Sequence, residues 1–447
     1  MEMERPVPMA TNRLLRCILS GVLLVAASLS AQTSSGKTVR HRRVVEPDQS
    51  QMPELAQAET AIEKKDYPAA ESLLKKVVGA QPANYQAWFD LGFVYNALGR
   101  NEESIEAYRQ SVNAKPDVFE SNLNLGLSLA KNKKPGAEDF LRAATKLKPQ
   151  SHVDEGHARA WLGLGHLLEE QDPDAAVEAF RQAAALQPKD PEARLSAGLL
   201  LEKANKFADA EEQYKQALVL DPSSQDALVG LANIYMRGQR FPEAEDYLRK
   251  VVSQRPNEAA PHVQLGRVLA ADQKYDEAAA ELQAGLRITP GDVGAQSDLA
   301  DVLAEAGKFA EAEAMYRSLL STNAAHPELH HKLGQVLMKQ KKFPAAEQEF
   351  MNAVKLKPDW GAAYGDLAIA ANEAKDYPVA IQALDMRAKF LPEIPVGYFM
   401  RATAYDHLRD FHQAAANYHL FLQVANGKYP DQEWQARHRL ITIEPKK

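Results

Sequence analysis

Apolar side chains return along this chain at the spacing of an α-helix, with polar residues between them. Leu265 and Leu269 flank Gly266 in one stretch, and Ala278, Leu282 and Gly285 follow in the next. Each such pair of stretches predicts two helices with one apolar stripe apiece. The pair itself recurs. A proline returns every 34 residues, at Pro188, Pro222, Pro256, Pro290, Pro358 and Pro392, with Ala324 where the beat lacks one. Upstream, the same beat gives Pro82 and Pro116, slips to Pro149 after a one-residue deletion, and recovers after a short insertion. Self-similarity at a fixed period predicts an array of small supersecondary units, here ten full units and a degenerate eleventh from about Gln51. Proline lacks the helical N–H and biases the residue before it away from the helix, so it is expected to end the second helix of each unit. Small residues stand where the helices must cross: Gly126, Gly198, Gly266 and Gly334 on first helices, Ala210, Ala278, Ala312 and Ala346 on second ones. A glycine or lysine bend between the two is expected, as near Leu98-Gly99, Arg237-Gly238 or Ala306-Gly307. Strand-type alternation is nowhere sustained, so the expected fold class is all-α. One hairpin cannot bury its own stripe, and a stack of them can.

The first full unit carries Trp88, Leu91, Gly92, Tyr95, Ser104, Tyr108 and Pro116, and so resembles the tetratricopeptide repeat, departing from it only at Ser104, where the family has alanine. Later units keep the frame, as in Leu231-Ala232, Tyr235, Ala244, Leu248, Val251 and Pro256. The resemblance runs from about Gln51 to Phe421. It implies an α-solenoid superhelix of about ten to eleven helix-turn-helix repeats over residues 53–428, acting as a protein-protein interaction scaffold that binds peptide segments in a concave groove. In arrays similar to this one, positions two, five, nine and twelve of the first helix face that groove. Carried over unit by unit, the peptide-binding residues are Phe89, Phe93, Leu123, Leu127, Leu162, Leu195 and Leu199, an apolar run, followed by the polar Asn233, Arg267, Asp301 and Gln335. The apolar run is expected to take side chains of an extended or helical peptide, and the polar positions to read its polar features; the alternative is that neighbouring repeats cover these positions. Some tetratricopeptide adaptors of chaperones clamp a C-terminal carboxylate. Here Asn233 matches that pattern, but Val229, Gly294 and Asp298 replace its cations, so no such clamp is expected.

Composition narrows the partners. Of 53 basic and 60 acidic residues, residues 1–31 hold three and two and residues 32–52 four and two, leaving 46 and 56, a net charge of about −10 on the array. That balance argues against nucleic acid and suits polar or basic protein partners. Arg13 and Arg16 precede the apolar run Cys17–Leu29 and the small-residue run Ser28-Leu29-Ser30-Ala31, which reads as an export signal over residues 1–31. The run is too short for a membrane anchor, so no stable membrane insertion is expected after cleavage. Cys17 is the one cysteine, and without it the chain has no disulfide, thiolate metal site or cysteine nucleophile. Residues 32–52, with the basic cluster Arg40-His41-Arg42-Arg43, read as a disordered linker, and residues 429–447 as a capping helix and tail carrying Trp434, Leu440 and Ile441. The expected location is exported, periplasmic or secreted, in the cell envelope, with a homo-oligomer left open.

Four patterns suggest chemistry and then fail. Ser35-Gly36-Lys37-Thr38 lacks the first glycine of a phosphate loop and the strand before it. Gly163 and Gly165 open a dinucleotide-like motif whose third place is Leu168. His326 and His330 have zinc-protease spacing, but Pro327 stands where the general-base glutamate belongs. His152-Val153-Asp154-Glu155-Gly156-His157 offers donors on an inserted stretch, read mainly as a hinge. No cofactor, metal or catalytic residue is therefore expected, and the protein reads as a non-enzyme. The rival readings are an assembly factor for an envelope complex (outer-membrane biogenesis, secretion or polysaccharide export) and a hydrolase or transferase with a site spanning repeats.

Overall fold

The computed structural model describes residues 52–444. The expected export signal, all of the expected linker except Met52, the Ser35–Thr38 pattern and the last three residues lie outside them. Among the described residues there are twenty-three helices and no strand. Their contacts divide the chain into two compact units, one ending at Gln254 and the other beginning at Arg255. The first unit holds six hairpins: α1 Pro53–Glu63 with α2 Tyr67–Ala80, α3 Tyr85–Ala97 with α4 Asn101–Ala114, α5 Phe119–Lys131 with α6 Ala137–Lys146, α7 Val153–Leu168 with α8 Pro173–Leu186, α9 Glu192–Lys203 with α10 Phe207–Leu220, and α11 Gln225–Arg237 with α12 Phe241–Gln254. The second holds five and a last single helix: α13 Ala259–Ala271 with α14 Tyr275–Ile288, α15 Val293–Glu305 with α16 Phe309–Thr322, α17 Pro327–Lys339 with α18 Phe343–Leu356, α19 Gly361–Ala374 with α20 Tyr377–Phe390, α21 Pro395–His407 with α22 Phe411–Ala425, and α23 Pro430–Ile443. Within each unit every helix packs on the next in sequence.

Six of the eleven hairpins close on a bulky side chain of the second helix, seated where the first helix carries glycine. A Cβ at Gly92, Gly198 or Gly334 would lie 2.7–2.8 Å from the ring of Tyr108, Tyr214 or Phe350, and one at Gly266 would lie 2.7 Å from Leu282. Those rings are fully buried, and each contributes about 1.5–3 kcal/mol by leaving water. Gly165 belongs to the same device, against Phe180, while Gly163 makes room for Leu127 of the preceding first helix, and neither belongs to a nucleotide loop. At Ser104 the hydroxyl donates to the Gly92 carbonyl at 2.8 Å, so the crossing itself supplies the acceptor that a serine in alanine's place needs.

The turns between hairpins are held by a second repeated contact. The fourth residue of the first helix reaches the carbonyl six residues upstream. Trp88 and Asn122 donate to Pro82 and Pro116 at 2.9 and 2.8 Å, and Gln296 donates to Pro290 at 2.7 Å. His262 and His330 set Nε2 at 3.1 and 3.0 Å from the carbonyls of Pro256 and Ala324. Because α16 still stops at Thr322 before Ala324, proline is not needed to end a second helix once the turn carbonyl is engaged. Asp66, Asn84, Asp172, Asp292, Asp376 and Asp410 add side-chain caps at helix starts.

Three expectations require correction. In ten of the eleven hairpins the bend falls on one left-handed residue at a fixed place in the repeat, and the turn from α7 to α8 has none. It is glycine or lysine as expected at Lys65, Gly99, Lys133, Gly307, Lys341 and Lys375, but Asn205, Gln239, Gln273 and Arg409 elsewhere. Gly238 is not one of them; its φ is −77°, and Gln239 takes the turn. The inserted stretch is helical from Val153, with Gly156 against Pro149 and Phe119, and the division between compact units falls at Gln254 rather than at 150–157. On α23, Ala436 and Leu440 are buried against α22, whereas Trp434 and Ile441 face outward.

Two outcomes follow from this packing. Gly230→Ala would place a Cβ 2.4 Å from the Tyr214 ring, which Gly198 already confines from the other side. Urea unfolding is expected to show a loss of about 1–3 kcal/mol, while Gly79→Ala, with nothing within 4 Å, should gain about 0.5–1 kcal/mol as an ordinary helix substitution. Equal effects would remove the notch as the governing contact. The second outcome concerns acid. Lys342, with Gln340 and Arg317, holds the Glu313 carboxyl down at about 2, through bonds of 2.8, 2.9 and 3.0 Å. Its folded value lies below its ordinary 4.5, so its stabilisation is present above that pH and is lost as the pH falls toward 2. The Glu313→Gln variant should show a shallower fall in urea midpoint over that window, and parallel profiles would contradict the assignment.

Candidate functional site: the first-helix row

The first helices of the N-terminal unit present a row of side chains whose burial divides the expected groove. Phe89 and Phe93 on α3, and Leu195 and Leu199 on α9, are half-buried. The Phe89 ring lies 5.7 Å from that of Tyr108, which fixes its base while part of its face stays open. Phe93 rests on the cluster built by α1 to α4. Between these two helices the row changes character. Leu123 on α5 is fully buried, and Leu127 on α5 and Leu162 on α7 are each 7% exposed. Leu123 and Leu127 do not serve as open groove positions, and packing, the alternative weighed from sequence, describes them, while Leu162 keeps only a small face toward a cleft. The cause at Leu127 is Gly163, which lets α7 pack so closely that a Cβ there would lie 2.7 Å from that leucine's side chain. Farther along, Asn233 is half-buried and donates to Glu202, a carboxyl raised chiefly by burial, to which Tyr214 Oη also donates at 3.0 Å.

Beside Leu162 a cleft of about 180 Å³ opens between α7 and α9, lined by Glu155, Arg159 and Leu162 on one side and Asp190, Glu192 and Ala193 on the other. A wider, shallow hollow of about 590 Å³ adjoins it over the turn from Gln187 to Pro191. Burial draws the Arg159 guanidinium below its usual range, opposed by the carboxylates of Glu155 and Glu192.

In the C-terminal unit the polar positions face each other. Position nine of one first helix bonds position six of the next. Arg267 Nε donates to Asp298 at 2.7 Å, Lys332 Nζ donates to Asp301 at 2.6 Å, and Gln335 Nε2 reaches Asp366 at 3.4 Å. Tyr316 also donates to Asp301. Burial raises the Asp298 and Glu305 carboxyls above their ordinary range, Arg267 working against it at Asp298. His331 sets Nε2 2.7 Å from Asp366 and lies among the rings of Phe350 and Trp360. Arg267, Asp301 and Gln335, expected to read a ligand, are thus committed to a ladder across repeats. Asp298, Lys332 and Asp366 were not singled out from sequence, although their 34-residue spacing and their offset of 31 from Arg267, Asp301 and Gln335 were there to be read.

Two further histidines are placed by packing. His157 Nε2 is 2.6 Å from the Leu147 carbonyl and its ring stands edge-on to Phe119, while His330 pairs with Glu349 at 2.6 Å. Among the described residues no group of three or more His, Cys, Asp and Glu side chains is placed to hold a metal ion, and no helix is long and apolar enough to cross a membrane.

Comparison with known proteins follows the repeat. The Arabidopsis thaliana protein CTR9 homolog is 35% identical over 105 residues, 23% of this chain and 9% of that protein. The human protein O-mannosyl-transferase TMTC3 is 23% identical over 158 residues, 33% of this chain and 17% of its own length. The chain thus matches under a fifth of either relative. Among solved structures, a tetratricopeptide repeat protein from Parabacteroides merdae aligns at 18% identity over 56% of this chain and 98% of its own, with a TM-score of 0.39. YrrB, described as a TPR protein with an unusual peptide-binding site, aligns at 23% identity over 45% and 99%, also at 0.39. A tetratricopeptide-repeat family model matches residues 269–336 and 303–367, and one described as the Cilia and flagella-associated protein 70 C-terminal domain matches residues 25–299. Hairpins on a 34-residue beat, matched by a single family model over more than half of the chain, make this protein a member of the tetratricopeptide-repeat family, in the group described as the Cilia and flagella-associated protein 70 C-terminal domain.

Proposed function

We propose that this protein is a non-catalytic interaction scaffold, exported to the cell envelope, that holds peptide segments of partner proteins on the first-helix row of its N-terminal unit. The observation that carries this reading is the set of half-buried apolar side chains, Phe89 and Phe93 on α3 and Leu195 and Leu199 on α9, in a repeat fold typical of protein-interaction scaffolds. Their bases are fixed by packing and their outer faces are open, the state in which an apolar anchor gains most from being covered. Each anchor contributes about 1.5–3 kcal/mol, so three reach roughly 5–9 kcal/mol before the cost of ordering the peptide is subtracted. That leaves affinities on the order of millimolar to micromolar, suited to transient contacts. The C-terminal ladder, already satisfied internally, supports rigidity rather than recognition. The array's negative charge supports protein partners over nucleic acid. No turnover is assigned, because the polar side chains of the row are engaged with each other and converge on no reacting centre.

Ten-residue peptides displayed on phage and selected on the purified chain should yield binders with apolar anchors. Fluorescence anisotropy should then show at least about a tenfold loss for the Phe93→Glu, Leu199→Glu double variant, with its far-UV circular dichroism retained. Unchanged affinity in the folded variant would exclude this surface. For export, a chain expressed with its natural start should lose residues 1–31 and be recovered outside the cytoplasm with Gln32 first; an intact N-terminus in the cytoplasmic fraction would remove the envelope from the proposal.

A further inference from the structure

The N-terminal unit departs most from its beat at the step between Pro149 and Pro188, 39 residues apart instead of 34. The extra residues form an added turn at the start of α7, which begins at Val153 where the repeat frame places Ala158. That turn carries Glu155 out beside the connection between α8 and α9, and the cleft described above is the space it walls off. The connection is a fixed wall, since the Asp190 carboxylate accepts the Glu192 amide N–H at 2.9 Å.

Size and charge define the occupant. About 180 Å³ is below the roughly 300–1,000 Å³ of sites for small molecules and cofactors, and suits one long side chain. Leu162 and Ala183 give it an apolar floor. Three carboxylates, Glu155, Asp190 and Glu192, face a single guanidinium, Arg159, so the cleft is negative. Arg159 lies in the field of two of those carboxylates and is not offered to an anion. We propose that this cleft receives a lysine or arginine side chain of the bound peptide, its methylene stem on Leu162 and Ala183 and its cationic head among Glu155, Asp190 and Glu192. The pairing of an apolar stem with a charged tip matches how such side chains bury. The cleft lies on α7 and α9, the latter carrying Leu195 and Leu199, so the cation would stand beside the apolar anchors on one peptide. This rests on the peptide-scaffold reading and adds the partner's chemistry to it.

The phage-selected peptides serve as the probe. Selection should enrich lysine or arginine at one position. Resynthesis with norleucine there should weaken binding to the full chain by about tenfold or more, and raising the salt concentration should narrow that difference. With the Glu155→Gln, Glu192→Gln variant the norleucine replacement should cost less than about twofold, the coupling expected of a direct contact. Peptides that depend on Phe93 and Leu199 but tolerate norleucine on the unaltered chain would overturn the cleft assignment and leave the groove standing. Enrichment of acidic residues that depend on Arg159 would also overturn it. Selection of no peptide at all would end both readings, and because the norleucine comparison is made on the unaltered chain, the outcome does not hang on whether the variant folds.

Discussion

The contact on which each unit depends is a bulky side chain set into a place where the neighbouring helix has none. Tyr108 over Gly92, Tyr214 between Gly198 and Gly230, and Phe350 over Gly334 repeat it, with Leu282 over Gly266 as the aliphatic version. The notch brings helix axes close enough for the ring to be enclosed on all sides. The ring then holds the hairpin angle, because a close-packed interior tolerates neither a void nor an added methyl group there. This fixes which way the first helix turns. With the glycine face committed inward, positions five and nine of the same helix point around the other side, and a row of them forms down the unit. The candidate site is thus a by-product of how the hairpin closes.

The same geometry explains why the two units treat that row differently. In the N-terminal unit the row carries Phe89, Phe93, Leu195 and Leu199, whose outer faces have no polar group to satisfy and are left half-covered. In the first three repeats of the C-terminal unit position nine carries charge or an amide and finds position six of the next first helix: Arg267 with Asp298, Asp301 with Lys332, Gln335 with Asp366. Half-buried ion pairs of this sort add little stability singly. Their effect is to tie one first helix to the next, so that the row behaves as a brace. Residue type thus decides whether position nine is left half-covered or is tied to the next helix.

The fold was largely legible from the chain because its period is long, regular and punctuated. The hairpins, the inward glycines and the ends of second helices all follow from the beat. What failed did so for identifiable reasons. Gly238 suggested a bend one residue early because glycine is the usual left-handed residue, but here the Arg240 amide bonds the Tyr235 carbonyl at 2.8 Å and the Gln239 amide bonds Met236 at 3.1 Å, which sets Gln239 in the turn whatever its side chain. The second helix before Ala324 ends at Thr322 without a proline, and His330 reaches the Ala324 carbonyl as His262 reaches that of Pro256. The candidate site was half legible. Residue type gave the apolar character of the row, but the closing of α7 onto Leu127 depends on Gly163, two units of information that lie 36 residues apart and outside the repeat frame. The ladder was missed because its partners are 31 residues apart rather than 34, an offset invisible when equivalent positions are compared only with each other.

The alternating signs of that ladder carry a consequence for how such an array can change. Repeats that share a backbone are exchangeable in principle, and duplication, loss or shuffling of whole units is the simplest way for a tandem gene to grow or shrink. Here the order is written in charge. Excising the one repeat that contributes Asp298 and Asp301 would bring Arg267 opposite Lys332, cation against cation at a half-buried junction, although every hydrophobic contact in the shortened stack could still be made. The C-terminal unit is therefore a sentence rather than a string of beads, and its repeats are bound to their neighbours by sign as well as by shape.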